Sequence, residues 1–360
     1  MKYLSEHLKE LDGKDVILRA SLNEPLSSNG KLLSDFRLES ALPTILALSK
    51  RVNSLHIIAH AGDSSQSLKP MYKWLKKRIW KLQFVEPQDY FKEKSSGIYL
   101  YENLRFFEGE KACDPEFAAK LAKGKDAFVQ DAFAVLHREH ASVVLLPKIL
   151  PSFAGFLVED EIKHLQAALS PQKPSCFVLG GAKISSKEPL LHKMLNIYDK
   201  VFIAGALANE ALFAKGFSVG QSKIDDGKVS EEILEHPNLI LPNRYTMLEN
   251  GKLRKSDGTD IKANEVIVDA FPSLSLLQGV SFLLWNGPLG WYERGFEQGS
   301  AALLGQMEIF APRAYLGGGD TNAIVESLHK EELFAFRSTG GGAMLKFLES
   351  ESLPGVEVLG

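Results

Sequence analysis

The sequence predicts an α/β protein built around parallel sheets. Short apolar runs recur along the chain, and helix-like segments lie between several of them, which is typical of βαβ units. The apolar runs are continuous rather than alternating, as expected for strands that are covered on both faces. At about 150 residues per domain, the 360 residues indicate two domains.

The individual elements follow from this pattern in chain order. The predicted strands lie at residues 16–18, 55–59, 98–100, 127–129, 176–179, 201–203, 266–268, 281–285, 314–316 and 333–336. The predicted helices lie at residues 68–81, 115–123, 160–169, 209–215, 301–309 and 323–329. Since strands and helices alternate, we expect the strands to pair in parallel.

Composition excludes several classes of protein. With 42 Lys and Arg against 45 Asp and Glu, the formal net charge is -3, so the chain has no general positive field for nucleic acid or an anionic membrane. No apolar run approaches the ~18 residues of a membrane span. Cys113 and Cys176 are far apart and form no CxxC pair, which excludes a disulfide scaffold and a cysteine zinc site. We therefore expect a cytoplasmic protein with no nucleic-acid or membrane partner.

Glycines divide the chain unevenly. Of the 29 glycines, 7 lie in residues 1–179 and 22 in residues 180–360. In the second half they cluster directly after predicted strands, at residues 180–181, 287–290, 317–319 and 340–342. In a parallel sheet that edge is the ligand crevice, where glycine lets backbone N–H groups approach phosphate oxygens. The need for tight turns explains any one of these equally well, but four on one edge favour a phosphate-binding site.

The common nucleotide-binding motifs are absent. No GxxxxGK[ST] loop occurs, and GxGxxG fails because Asn322 follows Gly317 and Gly319 at the required spacing. The string from Gly216 to Gly220 fits a hydrolase nucleophile elbow, but a predicted helix rather than a strand precedes it. Gly216 is therefore interpreted as the C-cap of that helix.

A series of motifs stands in the order in which it occurs in the phosphoglycerate kinase family, and the chain resembles that family through nearly its whole length. The motifs are RASLNEP (19–25), DFRL (35–38), HAG (60–62), ENLRF (102–106), DAFAVLHREHAS (131–142), GGAKISSK (180–187), WNGPLG (285–290), GGGDT (317–321), STGGGA (338–343) and LPGV (353–356). Each string alone is a weak signal, whereas the ordered series is specific.

The resemblance implies two similar-sized α/β domains, each with a central parallel sheet covered by helices, joined by an interdomain helix near residues 160–169 and a hinge. It implies an acceptor (phosphoglycerate) domain over residues 1–158, to which the C-terminal tail 346–360 returns, and a nucleotide-binding domain over 159–345. The implied reaction is the glycolytic phosphoryl transfer between 1,3-bisphosphoglycerate and ADP, giving 3-phosphoglycerate and ATP, by cation-stabilised in-line transfer after hinge closure. Mg²⁺ would accompany the ATP or ADP, and we expect a monomer whose partners are small molecules.

Carried over to the matching positions, the resemblance also implies roles for individual residues. Arg37 would stabilise the transferring group, Lys183 and Lys187 would hold phosphoryl oxygens, and Gly318 and Gly341 would present backbone N–H groups to them. The implied acceptor ligands are Asn23, Arg37, His60, Arg138 and Lys173. The implied nucleotide ligands are Lys183, Lys187, Asn286, Glu293, Gly317, Gly318, Gly319, Asp320 and Thr321, of which Asp320 would bind Mg²⁺.

These residue types suit the chemistry. Phosphoryl transfer spreads negative charge over the equatorial oxygens of a loose transition state, which cations and backbone N–H groups stabilise. A carboxylate acceptor is already ionised at neutral pH, so no general base is needed. Taken singly, each residue also has a simpler explanation: Arg37 as a surface charge, the lysines as a solvated face, and Asp320 as a helix N-cap.

Several positions depart from the family pattern. Ser21 stands where the family has Asp, Asp63 where it has a phosphate-binding Arg, and Lys173 where it has a further Arg; Ala134, Ser186 and Phe271 also differ. A carboxylate near a phosphate group adds repulsion, and Lys lacks the two-pronged geometry of Arg. The acceptor side is therefore expected to be more altered than the transfer machinery.

Three hypotheses follow from these departures. The first is a working phosphoglycerate kinase with a weakened grip on the distal phosphate. The second is a kinase of the same fold that acts on another small carboxylate, and the third is a weakly catalytic nucleotide-binding paralogue. Retention of Arg37 favours the first two, because a binding-only protein has no use for a residue that acts in the transition state.

Overall fold

The computed structural model describes residues 1–181, 187–225 and 228–359. The chain divides into two compact units, one comprising Met1–His164 and the segment from Ser350 onward, the other comprising Leu165–Glu349. We call them the first and the second unit. The division falls inside a single helix, Phe156–Ala168.

The first unit is built on a parallel sheet. Across the described residues its strands are β1 (Asp15–Ala20), β2 (Ser54–Ile58), β3 (Leu82–Val85), β4 (Gly97–Tyr101), β5 (Ala127–Asp131) and β6 (Ser152–Ala154), in the order β3-β4-β2-β1-β5-β6. Successive side chains of a strand point to opposite faces. Val16 and Leu18 accordingly enter one apolar core, and Ile17 enters another. Because both faces are covered, the strands are continuous apolar runs in the sequence.

Helices cover both faces of this sheet. They are α1 (Leu4–His7), α2 (Phe36–Ser49), α3 (Lys69–Lys76), α4 (Glu108–Lys111), α5 (Pro115–Ala122), α6 (Leu146–Ile149) and α7 (Phe156–Ala168). Helix α5 shows how the sequence sets a boundary: Asp114 is the N-cap and accepts a hydrogen bond from Glu116 N at 2.9 Å, and Pro115 occupies the first helical position.

The second unit contains a parallel sheet and a small antiparallel one. In the part of the chain that the structure describes, its strands are β7 (Ser175–Leu179), β8 (Lys200–Ile203), β9 (Leu239–Ile240), β10 (Arg244–Glu249), β11 (Lys252–Asp257), β12 (Val266–Phe271), β13 (Phe282–Asn286), β14 (Arg313–Gly317) and β15 (Phe336–Arg337). The parallel sheet has the order β15-β14-β13-β7-β8-β9, and β11-β10-β12 are antiparallel. Trp285 and Phe202 pack on one face of the parallel sheet.

The helices of the second unit follow its strands. They are α8 (Glu188–Ile197), α9 (Ala206–Ala214), α10 (Glu231–Leu234), α11 (Gln298–Phe310), α12 (Gly319–Ser327) and α13 (Gly341–Ser350). The last helix, α14 (Pro354–Glu357), belongs to the first unit, where Gly355 N donates to Leu136 O at 2.9 Å.

The predicted α/β class with parallel sheets is confirmed, and two strand predictions need correction. The strand predicted at 266–268 is present as part of β12, but it pairs antiparallel with β10 and lies outside the parallel sheet. The strand predicted at 333–336 is largely wrong, because Glu331–Leu333 is a 3₁₀ turn and β15 begins only at Phe336. Gly216, predicted as a C-cap, lies one residue beyond the C-cap Lys215 of α9 and has the left-handed φ of +83°. Within the described residues, no helix has the length and apolar character needed to cross a membrane.

Candidate active site

In the first unit, polar and charged side chains gather at the carboxyl edge of the parallel sheet. Ser21 and Asn23 follow β1, His60 follows β2 and Arg105 follows β4. Because parallel strands end at the same edge, these segments meet there. Of the predicted acceptor ligands, Asn23, Arg37, His60 and Arg138 all belong to this unit.

Arg37 is held at the start of α2 by a buried carboxylate. Glu24 Oε1 accepts hydrogen bonds from the backbone N–H groups of Arg37 and Leu38, and Glu24 Oε2 lies 3.5 Å from Arg37 Nη1. Arg37 Nη1 also donates to Asn23 O at 3.1 Å. A carboxylate at a helix N-terminus is favoured by the helix dipole. Glu24 therefore caps α2 and orients the guanidinium at the same time.

Asn23 connects this arrangement to the loop after His60. Its side-chain oxygen accepts a hydrogen bond from Gly62 N at 2.6 Å. The carbonyl oxygen of Gly62 in turn accepts from Arg105 Nη1. The backbone of this loop is thus fixed by the predicted ligand Asn23 and by Arg105, for which the sequence motifs predicted no role.

His60 is buried among cations. Its Nδ1 accepts a hydrogen bond from Arg19 Nη2 at 3.0 Å, and its side chain is only 6% exposed. Burial, and then the positive charges of Arg19, Arg105 and Arg138, hold the pKa of His60 well below its usual value. His60 is therefore neutral at physiological pH and lies in a positive field suited to an anion.

Asp63 is not a buried member of this cluster. It is exposed, and its Oδ1 accepts hydrogen bonds from Ser65 N at 2.8 Å and Ser65 Oγ at 2.6 Å, which lower its pKa. Its charge nevertheless favours the charged form of Arg105. Asp63 therefore partly neutralises this edge of the cluster.

Lys173, the remaining predicted acceptor ligand, makes contacts of a different kind. It belongs to the second unit and is exposed, and its ammonium group pairs with Asp199 Oδ1 at 3.1 Å and donates to Ile197 O. It precedes β7, so it lies at the opposite end of that strand from the glycine turn at Gly180. That Lys173 joins the acceptor ligands stays a prediction; in this structure its ammonium group is paired at the start of β7.

In the second unit, the glycine turns pack backbone against backbone. A Cβ on Gly287 would lie 2.5 Å from Gly180 O, and a Cβ on Gly341 would lie 2.6 Å from Gly318 Cα. Real Cβ atoms do not approach so closely, so larger residues are excluded at these turns. Gly318 also has φ +96°, which L side chains rarely adopt. Because these glycines have no side chains, the turns after β7, β13, β14 and β15 can pack backbone against backbone.

Lys187 folds back onto the first of these turns. Its ammonium group donates to Gly180 O at 2.9 Å, and the missing side chain of Gly181 leaves the space that it occupies. Burial lowers the pKa of Lys187 to about 8. A buried ammonium favours a nearby anion. Lys183, the second predicted lysine, lies outside the described residues.

Asn286 and Thr321 lie beneath the turns. Asn286 is the last residue of β13 and is buried; its Nδ2 lies 2.8 Å from where a Cβ on Gly317 would be. Thr321 Oγ1 accepts a hydrogen bond from Gly287 N at 2.8 Å. Thr321 thereby ties the turn after β13 to the first turn of α12, which carries Gly319 and Asp320.

A cavity of about 390 Å³ opens beside these turns. Its polar lining includes Asn209, Lys223, Asp269, Glu293 and Asp320, and its walls include the turns at Gly181, Gly205 and Pro288–Gly290. Burial and the charge of Glu293 raise the pKa of Asp320. Asn209, inside α9, and Lys223, which follows that helix, were not predicted as ligands, and no motif in the sequence marks them.

The carboxylates of Glu293 and Asp320, which line this cavity beside the glycine turns, fit a magnesium ion. Mg²⁺ is usually held by one or two protein carboxylates, with phosphate oxygens and waters completing its coordination. The repulsion between Glu293 and Asp320 is what such a cation would relieve. No group of three or more His, Cys, Asp or Glu side chains arranged for a metal occurs within the described ranges.

Comparisons with known proteins agree with one another. The family model described as phosphoglycerate kinase matches residues 6–351. The phosphoglycerate kinase of Coprothermobacter proteolyticus is 34% identical over 393 residues, which cover 100% of this chain and 99% of that protein. The enzyme of Francisella tularensis subsp. novicida is 35% identical over 384 residues, covering 98% and 97%.

Solved structures show the same likeness. The phosphoglycerate kinase from Coxiella burnetii superposes with a TM-score of 0.83 at 32% identity, covering 97% of this chain and 96% of that one. The phosphoglycerate kinase from Pyrococcus horikoshii gives 0.86 at 29% identity, covering 100% and 98%. The likeness therefore extends over both units.

Proposed function

The chain belongs to the phosphoglycerate kinase family, and we propose that it catalyses phosphoryl transfer between 1,3-bisphosphoglycerate and ADP, giving 3-phosphoglycerate and ATP. The observation that carries the proposal is that the two units offer two different kinds of anion-binding site. The first holds a cluster of cations around His60, and the second holds close-packed glycine turns with a buried lysine. The first suits a small polyanion and the second suits a nucleotide phosphate chain.

On the acceptor side, we assign Asn23, His60, Arg138 and Arg105 to phosphoglycerate binding and Arg37 to the transferring phosphoryl group. The guanidinium of Arg37 is oriented by Glu24 and Asn23, which supports a role that depends on direction as well as charge. Arg105 replaces Lys173 in this assignment, because its charge acts on His60 whereas Lys173 is paired with Asp199.

On the nucleotide side, we assign Lys187 and the N–H groups of Gly317–Gly319 and Gly341 to the phosphates, and Asn286, Glu293 and Thr321 to the nucleotide and its turns. Lys183 keeps the role that the resemblance implies. Mg²⁺ would be held through Asp320, with Glu293 beside it, and would neutralise charge on the transferring phosphates. We retain hinge closure in the proposal: small-angle scattering should show compaction with MgATP and 3-phosphoglycerate together, and less with either alone.

A second candidate is a kinase that acts on another small carboxylate. Ser21, which is buried in place of an acidic residue, favours it. The solvent-facing carboxylate of Asp63 weakens it, because its Oδ1 is hydrogen-bonded to Ser65 and its charge only partly offsets that of Arg105. We therefore rank 3-phosphoglycerate first.

A coupled assay of ATP consumption tests the proposal. The purified chain is given MgATP with 3-phosphoglycerate or with each of a panel of small carboxylic acids. We expect turnover on 3-phosphoglycerate, loss of more than tenfold in kcat for Arg37→Met, and no change for Arg51→Met, an exposed arginine paired with Asp12 in the same unit. Turnover on another acid only would establish the second candidate, and nucleotide binding without turnover on any acid would contradict both.

We also propose that the protein is a cytoplasmic monomer. Both cysteines are free, which agrees with a reducing compartment, and the net charge of -3 gives no reason for nucleic-acid binding. Sedimentation velocity at micromolar concentration should give a single species of monomer mass; a larger species would contradict the monomer.

A further inference from the structure

Beneath His60 lies an arginine that is almost completely buried. Arg19 is on β1 and is 1% exposed. Its Nε donates to Ser142 Oγ at 3.1 Å, its Nη1 donates to Ala20 O at 2.9 Å, and its Nη2 is 3.0 Å from His60 Nδ1. Each nitrogen of the guanidinium therefore has a partner, and the group cannot rotate without breaking several hydrogen bonds.

A carboxylate compensates the buried charge of Arg19. Glu110 accepts hydrogen bonds from Ser142 Oγ at 2.6 Å and from Ser142 N at 3.0 Å. The Ser142 hydroxyl thus donates its one hydrogen bond to Glu110, and its oxygen accepts a hydrogen bond from Arg19. Burial lowers the pKa of Arg19 to about 10, with the charge of Glu110 opposing that shift, so Arg19 stays cationic at neutral pH.

The direction of the bond to His60 follows from the chemistry of the two groups. A guanidinium has only donors, so Nδ1 of His60 must present a lone pair. A neutral imidazole with an unprotonated Nδ1 carries its proton on Nε2. Nε2 makes no hydrogen bond to any described residue, and unlike the buried, unpaired Nδ1 of His137 it is not sealed from solvent. One N–H of His60 is therefore left to point at a ligand.

We propose that Arg19 is a positioning residue that fixes His60 in the Nε2–H tautomer, so that this N–H donates to an anionic oxygen of the acceptor substrate. The identity of that substrate rests on the proposed function; the tautomer does not. Arg19, Arg105, Arg138 and His140 are the charged and titratable groups that act on His60. All of them disfavour its protonation, so His60 is a constant neutral donor across the neutral pH range.

The tautomer is tested directly on the whole chain with ¹⁵N-labelled histidine, by long-range proton–nitrogen correlation spectra recorded without substrate. We expect the pattern of a protonated Nε2 and an unprotonated Nδ1 for His60, unchanged between about pH 6 and 8. Assignment comes from the spectrum of His60→Gln. A protonated Nδ1, or titration at the ordinary pKa of histidine, would overturn the proposal whether or not 3-phosphoglycerate is the substrate.

The role of Arg19 is tested by kinetics. Arg19→Met should raise the KM for 3-phosphoglycerate at least about tenfold, the equivalent of one hydrogen bond to a charged group, and leave the KM for MgATP unchanged. Arg19→Lys keeps the charge and should recover part of the loss. Arg51→Met is the matched control and should have no effect.

A double-mutant cycle separates positioning from general structural damage. The side chain in His60→Gln can place an N–H near the position of Nε2 without needing the tautomer set by Arg19, so Arg19→Met should cost less in that background. Equal costs in both backgrounds, or equal changes in both KM values, would mean that Arg19 is only structural. If Arg19→Met does not fold by circular dichroism, Arg19→Lys is compared in the same cycle.

Discussion

Replacing Gly341 by alanine should push apart two of the glycine turns in the second unit. The added Cβ would lie 2.6 Å from Gly318 Cα and 2.8 Å from Gly318 N. Non-bonded carbon atoms prefer a separation of about 3.5–4.0 Å, so the two backbone segments must separate by roughly 1 Å. Both partners are backbone, and neither can move aside as a flexible side chain would.

The magnitude follows from that displacement. Overpacking of this kind costs about 1–3 kcal/mol of stability, and a misplacement of about 1 Å in a catalytic centre can cost about 100-fold in rate. Gly341→Ala should therefore lower the free energy of unfolding by about 1–3 kcal/mol in urea titrations, and it should lower kcat between tenfold and 100-fold.

The control is Gly305→Ala in α11. A Cβ there would meet no atom within 4 Å, so alanine should stabilise the helix by about 0.5–1 kcal/mol and leave kcat unchanged. Wild-type stability and kcat in Gly341→Ala, measured beside a stabilised Gly305→Ala, would refute the argument that these turns depend on missing side chains.

Three further changes have defined outcomes. Arg105→Met should raise the KM for 3-phosphoglycerate about tenfold with little change in kcat, since Arg105 acts on the His60 cluster; an unchanged KM in initial-rate assays would remove it from the acceptor ligands. Asp320→Asn should weaken MgATP much more than metal-free ATP in calorimetric titrations, and equal losses would mean that its role does not involve the metal. His56 is buried with a pKa of about 3, far below the unfolded value of 6.5, so the unfolded state binds a proton first as the pH falls. The free energy of unfolding should therefore drop by about 2 kcal/mol between pH 8 and pH 5 through this group, and His56→Phe should show a correspondingly shallower pH dependence in urea titrations.

The inner strands of the parallel sheets were predictable because both of their faces are buried. The edge strands β3, β6 and β9 were missed and β15 was misplaced. The antiparallel sheet shows the limit of that signal. Strand β11 is mostly exposed and charged, so it forms no apolar run. The usable signal was the Asn250–Gly251 pair between β10 and β11, whose φ angles of +48° and +78° match the two-residue hairpin turn that Asn-Gly favours.

The candidate site was predictable where residue type alone sets the function, and not where a network does. Arg19 stands inside an apolar run, and nothing local indicates that its charge is buried against His60 and Ser142. Lys173 matched a motif position, yet its ammonium group is paired with Asp199, 26 residues further along the chain. Both depend on pairings that only the folded chain brings together.

The two units also differ in how they compensate their cations, and this has a measurable consequence. Arg37 has Glu24 and Arg19 has Glu110 acting on it, whereas no described carboxylate acts on Lys187, whose pKa is lowered to about 8 by burial alone. A bound phosphate would restore the charged form, so nucleotide affinity is tied to the protonation of Lys187.

The affinity should be fully present below about pH 8 and should fall as the pH rises through that value, by about tenfold between pH 7 and pH 9. Titrations of MgADP at these two pH values measure the change, since the nucleotide itself is fully ionised at pH 9 and largely so at pH 7. Lys187→Arg keeps its charge throughout and should remove the dependence, whereas an affinity that stays constant in the unmodified protein would show that Lys187 does not contact the phosphates.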